Sequence, residues 1–171
     1  SGAFPFGFEK SAAGDELRLG DVAASFGNSK NAKIHYRKAM EEAKNDLTMW
    51  SEALFRLGTL ELQNGNVAGA RELLKSFREK VPAGSAGTLP GEIMLAENDL
   101  AGAEKEFNFL ISQNDLLADS ARFWLGCLKI RQGKYQEALD IFKQLKESRI
   151  PLVSRKSEYG TVLALLKMGR T

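Results

Sequence analysis

Apolar and small residues recur along this chain at intervals of three and four, the spacing that lines side chains along one face of an α-helix. The runs that keep this rhythm predict helices near 13–26, 29–45, 49–63, 67–80, 90–98, 100–113, 118–131, 135–148 and 154–168. Asp119 or Ser120 is the expected cap of the seventh, and Ser51 that of the third if Trp50 lies outside it. The densest cluster of helix breakers, Pro82–Gly91, parts the fourth helix from the fifth. Thr88 is expected to cap a short fifth helix that carries Pro90 in its first turn. That cluster reads as a loop, or else as a widened opening or hinge between two halves of the chain.

The helices come in a repeat. Leu57-Gly58 and Leu125-Gly126 lie 68 residues apart, twice 34. Each pair is followed by a second glycine (Gly65, Gly133), an alanine (Ala70, Ala138), a large apolar residue (Leu74, Phe142) and a proline (Pro82, Pro151). Upstream, Leu19-Gly20, Gly27, Ala32, Tyr36 and Ala39 keep the internal spacing, with an insertion at about Leu47–Trp50 before the next copy. Downstream, Gly160 stands 34 residues after Gly126. A degraded copy lies between, where Ala103, Phe107 and Leu110 keep the second half and the first half lacks a Leu-Gly pair. Small residues at Gly58 and Gly126 let two helices approach closely, and Gly65 and Gly133 suit the turn between them. One hairpin cannot bury its apolar face alone, so such units stack.

On these residues the chain resembles the tetratricopeptide repeat (TPR) family, most closely over Ser51–Gly84 and Asp119–Leu152. Phe55 and Phe123 follow the places where the family's early tryptophan would stand, which here hold Leu54 and Arg122. The resemblance implies an all-α fold, a right-handed α-solenoid of TPR-like helical hairpins. The repeats would span about 13–46, 51–84, 85–118 and 119–152, with a terminal helix at 153–171 and a tail at 1–12. In that tail Phe4-Pro5-Phe6-Gly7-Phe8 would cap the first helix, fray, or dock in a groove. The chain opens on Ser1-Gly2 rather than Met, which reads as a cloning scar, so a segment of a longer protein is one expectation.

Composition adds little pull in any direction. Hydrophobic residues make up 43% and charged residues 27% of 171, a profile of folded rather than disordered chains. The net charge is +2, but residues 129–171 carry +6 and residues 1–128 carry −4. The basic end lacks interleaved exposed aromatics, so nucleic acid is not the expected partner. No apolar run reaches the length of a membrane span, and no direct membrane insertion is expected. A soluble protein is expected, cytoplasmic or periplasmic.

Catalytic chemistry finds few candidates. Cys127 is the one cysteine and His35 the one histidine, so disulfides and multi-thiolate or two-imidazole sites are excluded within one chain. His35, beside an inward Tyr36, is expected to face solvent. Cys127 follows a packing glycine and reads as a buried or groove-facing thiol. The Gly-rich stretch lacks the Gly-Lys-Ser/Thr ending of a phosphate loop. No catalytic residue, metal or cofactor is expected, and the chain is not expected to be an enzyme.

The resemblance instead implies a concave face made by the first helix of each hairpin. Its inward residues would be Phe55, Thr59, Leu62 and Gln63 in one copy, and Phe123, Cys127, Ile130 and Arg131 in another. The Lys/Asn clamp by which some relatives grip chaperone tails is not present: Leu17, Phe55 and Phe123 take those places, with Asp21 and Thr59. The expected function is protein–protein interaction, as an adaptor or assembly scaffold that binds a peptide or partner protein, with polar contacts from Gln63 and Arg131. The alternatives are an oligomerisation unit, with homo-oligomers formed through the C-terminal helix, and a regulatory domain of a larger protein.

Overall fold

A computed structural model of the protein describes residues 11–113 and 115–169. The Phe-rich stretch of residues 4–8 lies outside them. Among the described residues the chain forms nine helices: α1 Ala12–Ser25, α2 Ser29–Glu42, α3 Leu47–Gln63, α4 Val67–Lys80, α5 Leu89–Ala96, α6 Leu100–Ser112, α7 Leu117–Arg131, α8 Tyr135–Leu145 and α9 Pro151–Lys167. No strand occurs among these residues. The all-α, helical-repeat class read from the sequence is what the structure shows.

The junction inside each hairpin is built the same way four times. The first helix ends, one residue takes a left-handed conformation, and the next stands at the N-cap of the second helix. The left-handed residues are Gly27, Gly65, Asn98 and Gly133, with φ of 73°, 77°, 64° and 74°. Asn28, Asn66 and Asp99 then accept hydrogen bonds from the amides of Asn31, Gly69 and Gly102 at 3.2, 3.0 and 3.0 Å. Lys134, at the fourth such place, makes no side-chain cap.

The chain divides into two compact units, Ser1–Ser85 and Ala86–Thr171. In the first, α1 packs on α2, α2 on α3 and α3 on α4. Its core holds Leu17, Ala32, Tyr36, Ala39, Ala53, Leu57 and Leu60. In the second, neighbours pack in order from α5 to α9, and α7 also meets α9. Its core has two clusters, one around Phe107 and Leu128 and one around Leu139 and Phe142. The division falls inside the breaker cluster at residues 82–91.

Local details depart from the sequence reading in four places. The insertion at Leu47–Trp50 becomes the first turn of α3, whose cap is Asp46, accepting from the Met49 amide at 3.0 Å. Ser51 therefore lies inside the helix and donates to the Leu47 carbonyl instead. Helix α7 begins at Leu117, so Asp119 sits within its first turn; there it pairs with Arg122 at 2.9 Å and accepts from Ser148 at 2.7 Å. Thr88 stands before α5 but donates to Glu92 at 2.7 Å rather than capping a backbone amide.

The fourth departure concerns the copy that looked degraded. Its packing glycine is present after all: Gly91 faces the ring of Phe107, just as Gly20 faces Tyr36 and Gly126 faces Phe142. In all three cases the glycine precedes its ring by 16 residues. Pro90 stands where the other copies have leucine, which hid the match. A Cβ at Gly126 would lie 2.6 Å from a ring carbon of Phe142, too close for any side chain to enter unless the ring moves.

Candidate functional site

Helices α3 and α7, each the first of its hairpin, carry the eight residues of interest. On α7, the alternation that buries Ala121, Gly126 and Leu128 leaves Phe123, Cys127, Ile130 and Arg131 along an adjacent stripe. Helix α9 packs on α8 and also meets α7, and its Val153, Ser157 and Ala164 are buried. Gly160 lets α9 close on α8, since a Cβ there would lie 2.7 Å from Phe142.

Between these elements lies a cavity of about 390 Å³. Phe123, Cys127, Ile130 and Arg131 of α7 line it with Phe142 of α8 and with Lys156, Tyr159, Gly160 and Leu163 of α9. That volume falls in the range of ~300–1,000 Å³ common for ligand pockets. Its floor is apolar: the Phe123 ring packs on Phe142 with centroids 5.9 Å apart, and on Trp124 edge-on at 5.4 Å. Burial pushes the Cys127 thiol up to about 12, so it stays protonated and uncharged near neutrality. A thiol in that state is a poor nucleophile and contributes surface rather than chemistry.

Two cations reach the cavity, and they are not equivalent. Arg131 donates to the Leu95 carbonyl at 2.6 Å and to Asn98 Oδ1 at 3.2 Å, so its guanidinium closes the C-terminal end of α5. The Lys156 ammonium sits 5.8 Å from the centre of the Phe123 ring. Among the described residues no carboxylate lies within ion-pairing distance of it. Sequence reasoning placed Arg131 in the groove and Lys156 only in the basic C-terminal surface, and did not put Tyr159 or Leu163 with them. The signal for those three lay in the packing glycine Gly160, which sets α9 against Phe142 of α8.

The other four candidates lie along α3 in the first unit. Phe55 is half-buried with its ring tilted against Phe77, centroids 5.0 Å apart. It thus fills packing space beside the core of that hairpin. Thr59 and Leu62 are half-buried, and Gln63 is exposed. The structure therefore gathers the α7 set around one cavity, while Phe55 is engaged by its own hairpin.

Other polar groups have structural partners. His35, expected to face solvent, is instead half-buried with Nδ1 2.7 Å from a Glu16 carboxylate oxygen. Tyr36 donates to Asp21 at 2.9 Å, and burial followed by that contact raises its phenol well above the ordinary value. Glu61 and Lys129, both buried, form ion pairs with Lys33 at 2.8 Å and Glu104 at 2.7 Å. Among the described residues, no three His, Cys, Asp or Glu side chains gather as a metal would require. No helix among them is long and apolar enough to cross a membrane.

Comparison with known families matches three stretches, each to a model described as tetratricopeptide repeat: residues 17–46, 52–83 and 92–150. Together they cover more than half of the chain. The longest takes in Gly91's hairpin from Glu92 onward, the copy whose first half was hardest to see. No curated protein matches the chain. With the 16-residue glycine-to-ring spacing, the repeated turn and three matched stretches, the chain belongs to the tetratricopeptide-repeat family.

Proposed function

We propose that the protein is a non-catalytic protein-interaction module, an adaptor or assembly scaffold. It takes a segment of a partner protein at the cavity between α7, α8 and α9. Repeats of this family generally mediate protein–protein interaction. The observation that carries the reading is the cavity itself: an apolar floor with polar groups only at its edge, open on a first-helix face. The four α3 residues, Phe55, Thr59, Leu62 and Gln63, form a secondary contact surface in this reading.

A photo-reactive amino acid at Leu163 tests it, with the same group at Leu116 as the control. Leu116 is 86% exposed and does not line the cavity. A partner polypeptide joined from position 163 and not from 116 is the expected result. Equal labelling from both positions would place the contact elsewhere.

One observation favours a second reading, self-association through α9. Tyr159, Val162, Leu163 and Leu166 are all exposed, at 81, 56, 45 and 56%, and their spacing of three and four sets them on one stripe. A sedimentation series over protein concentration separates the two readings. A mass that stays monomeric while position 163 still labels a partner favours the adaptor.

A further inference from the structure

We propose that the cavity recognises a large apolar side chain, aromatic or aliphatic, with a carboxylate beside it on the same partner segment, and that Lys156 receives that carboxylate. This rests on the reading of the cavity as the interaction site and adds what the site selects. The floor sets the first requirement. Phe123, Ile130, Phe142 and Leu163 with a protonated Cys127 offer no charge and little hydrogen bonding, so a buried polar group there would lose its water without compensation. An aromatic or branched aliphatic side chain fits that surface and gains by its burial.

The edge sets the second requirement. A cation at an interface is satisfied by its own chain, by solvent or by the partner. Arg131 is satisfied by its own chain, through the Leu95 carbonyl and Asn98. Lys156 has the Phe123 ring below it and no carboxylate of the described chain within reach. Its charge also acts on the cavity floor, where it opposes the upward push that burial and the Glu92 carboxylate exert on the Cys127 thiol. The ammonium therefore lies where an anion bound beside the apolar side chain would meet it. The surroundings favour the same sign of partner: α9 carries Arg155, Lys156 and Lys167 against one acid, Glu158, and residues 129–171 carry +6. The partner segment is accordingly acidic as well as apolar.

Short acetylated and amidated peptides with a central phenylalanine test this against the full chain, followed by the NMR signals of the Ile130 and Leu163 methyl groups. One peptide carries Asp beside the Phe, a second Asn, a third Asp beside Ala. The Asp–Phe peptide is expected to bind about 3–10-fold more tightly than the Asn–Phe peptide, the size of one charge-assisted contact at a part-exposed site. The Asp–Ala peptide should leave the methyl signals unmoved. Lys156→Met should erase the Asp-over-Asn preference while the Phe peptides still bind, and Arg131→Met should keep it. Added salt gives a second readout on the unaltered protein, weakening the Asp peptide but not the Asn one.

Equal binding of Asp and Asn peptides, with the methyl signals shifting in both, overturns the carboxylate assignment and leaves the interaction site standing. A preference lost in Arg131→Met rather than Lys156→Met overturns the choice of cation. If no peptide moves the Ile130 and Leu163 signals, both the selectivity and the site beneath it fall.

Discussion

The two compact units solve one stacking problem with opposite signs of charge. In the first, Lys33 on α2 reaches Glu61 on α3 at 2.8 Å; in the second, Glu104 on α6 reaches Lys129 on α7 at 2.7 Å. The places are equivalent: Glu61 and Lys129 each stand three residues after a packing glycine, and Lys33 and Glu104 each follow a buried alanine. In both, the partner on the first helix of the later hairpin is the more buried, with side-chain exposures of 4% for Glu61 and 9% for Lys129. The repeat thus fixes where an ion pair bridges successive hairpins and leaves its polarity open. Polarity then decides which hairpin can follow which, because a Lys33-type helix set against Lys129 would bury two like charges.

Reversing one member is the largest effect that comparison implies. Glu61→Lys should destabilise the first unit by about 3–5 kcal/mol, the cost of leaving a buried charge without its partner. Adding Lys33→Glu should recover most of it, since the pair would then have the polarity that the second unit already uses. Denaturant melts of the single and double variants measure both. A double variant no more stable than the single would show that Arg37, 3.9 Å from Glu61, and Asn66, which donates to it at 2.8 Å, set the sign rather than the pair.

The packing glycines allow a second comparison, smaller in energy. At Gly20 the facing ring is Tyr36, tethered through its hydroxyl to Asp21 at 2.9 Å; at Gly126 it is Phe142, held by packing alone. A methyl group at either place meets the ring, and overpacking of this kind costs about 1–3 kcal/mol. Gly20→Ala should fall at the upper end because Tyr36 must break a hydrogen bond to move away. Gly126→Ala should fall lower and also narrow the cavity that Phe142 lines. Thermal melts of the two variants would reverse that order if the tether yields more easily than the packing.

These regularities also show what was legible in the sequence. The hairpins were readable because Ala32, Ala70, Ala103 and Ala138 are all fully buried and hold the rhythm in every copy. The third copy hides its first half because Pro90 replaces the leucine of the Leu-Gly pair, whereas packing requires only a residue without a side chain under the ring, which Gly91 meets. The α7 residues were named from the family resemblance, which sets the first helix of each hairpin on the inner face. Lys156 and Tyr159 were not named with them, because their place depends on how α9 sits on α8, where Gly160 meets Phe142. His35 was misjudged for a similar reason, its Glu16 partner being on another helix.

Acid should weaken both units, unequally. Burial alone would raise the Glu61 carboxyl, but hydrogen bonds from Lys33 and Asn66 outweigh it and hold the group below its ordinary value. The Lys129 hydrogen bond does the same for Glu104, against a smaller burial cost. A depressed folded-state value means the stabilisation is whole above the unfolded-state value of about 4.3 and is lost as pH falls toward the folded one. Glu61→Gln should flatten the acid limb of a stability–pH curve more than Glu104→Gln. Glu104 is 31% exposed, so solvent screens its pair. Equal flattening by both would mean that burial does not set the strength of the two pairs.

The smallest effect lies at the hairpin turns, where three copies agree and one does not. Asn28, Asn66 and Asp99 cap their helices through side-chain oxygens, while Lys134 opens α8 with no oxygen to offer and a positive charge at the positive end of the helix dipole. Lys134→Asn should therefore stabilise the second unit by about 0.5–1 kcal/mol, mostly through the new cap. One term works against it: Lys134 lies close enough to Glu104 to help hold that carboxyl low, and the substitution removes that attraction. The cap should win, because the Glu104–Lys134 attraction acts across solvent whereas the capped amide is in the first turn of the helix itself. A midpoint that rises in Lys134→Asn but not in Lys134→Ala would assign the gain to the cap. A rise of equal size in both would assign it to the removed charge, and the fourth turn would then differ from the other three in electrostatics rather than in hydrogen bonding.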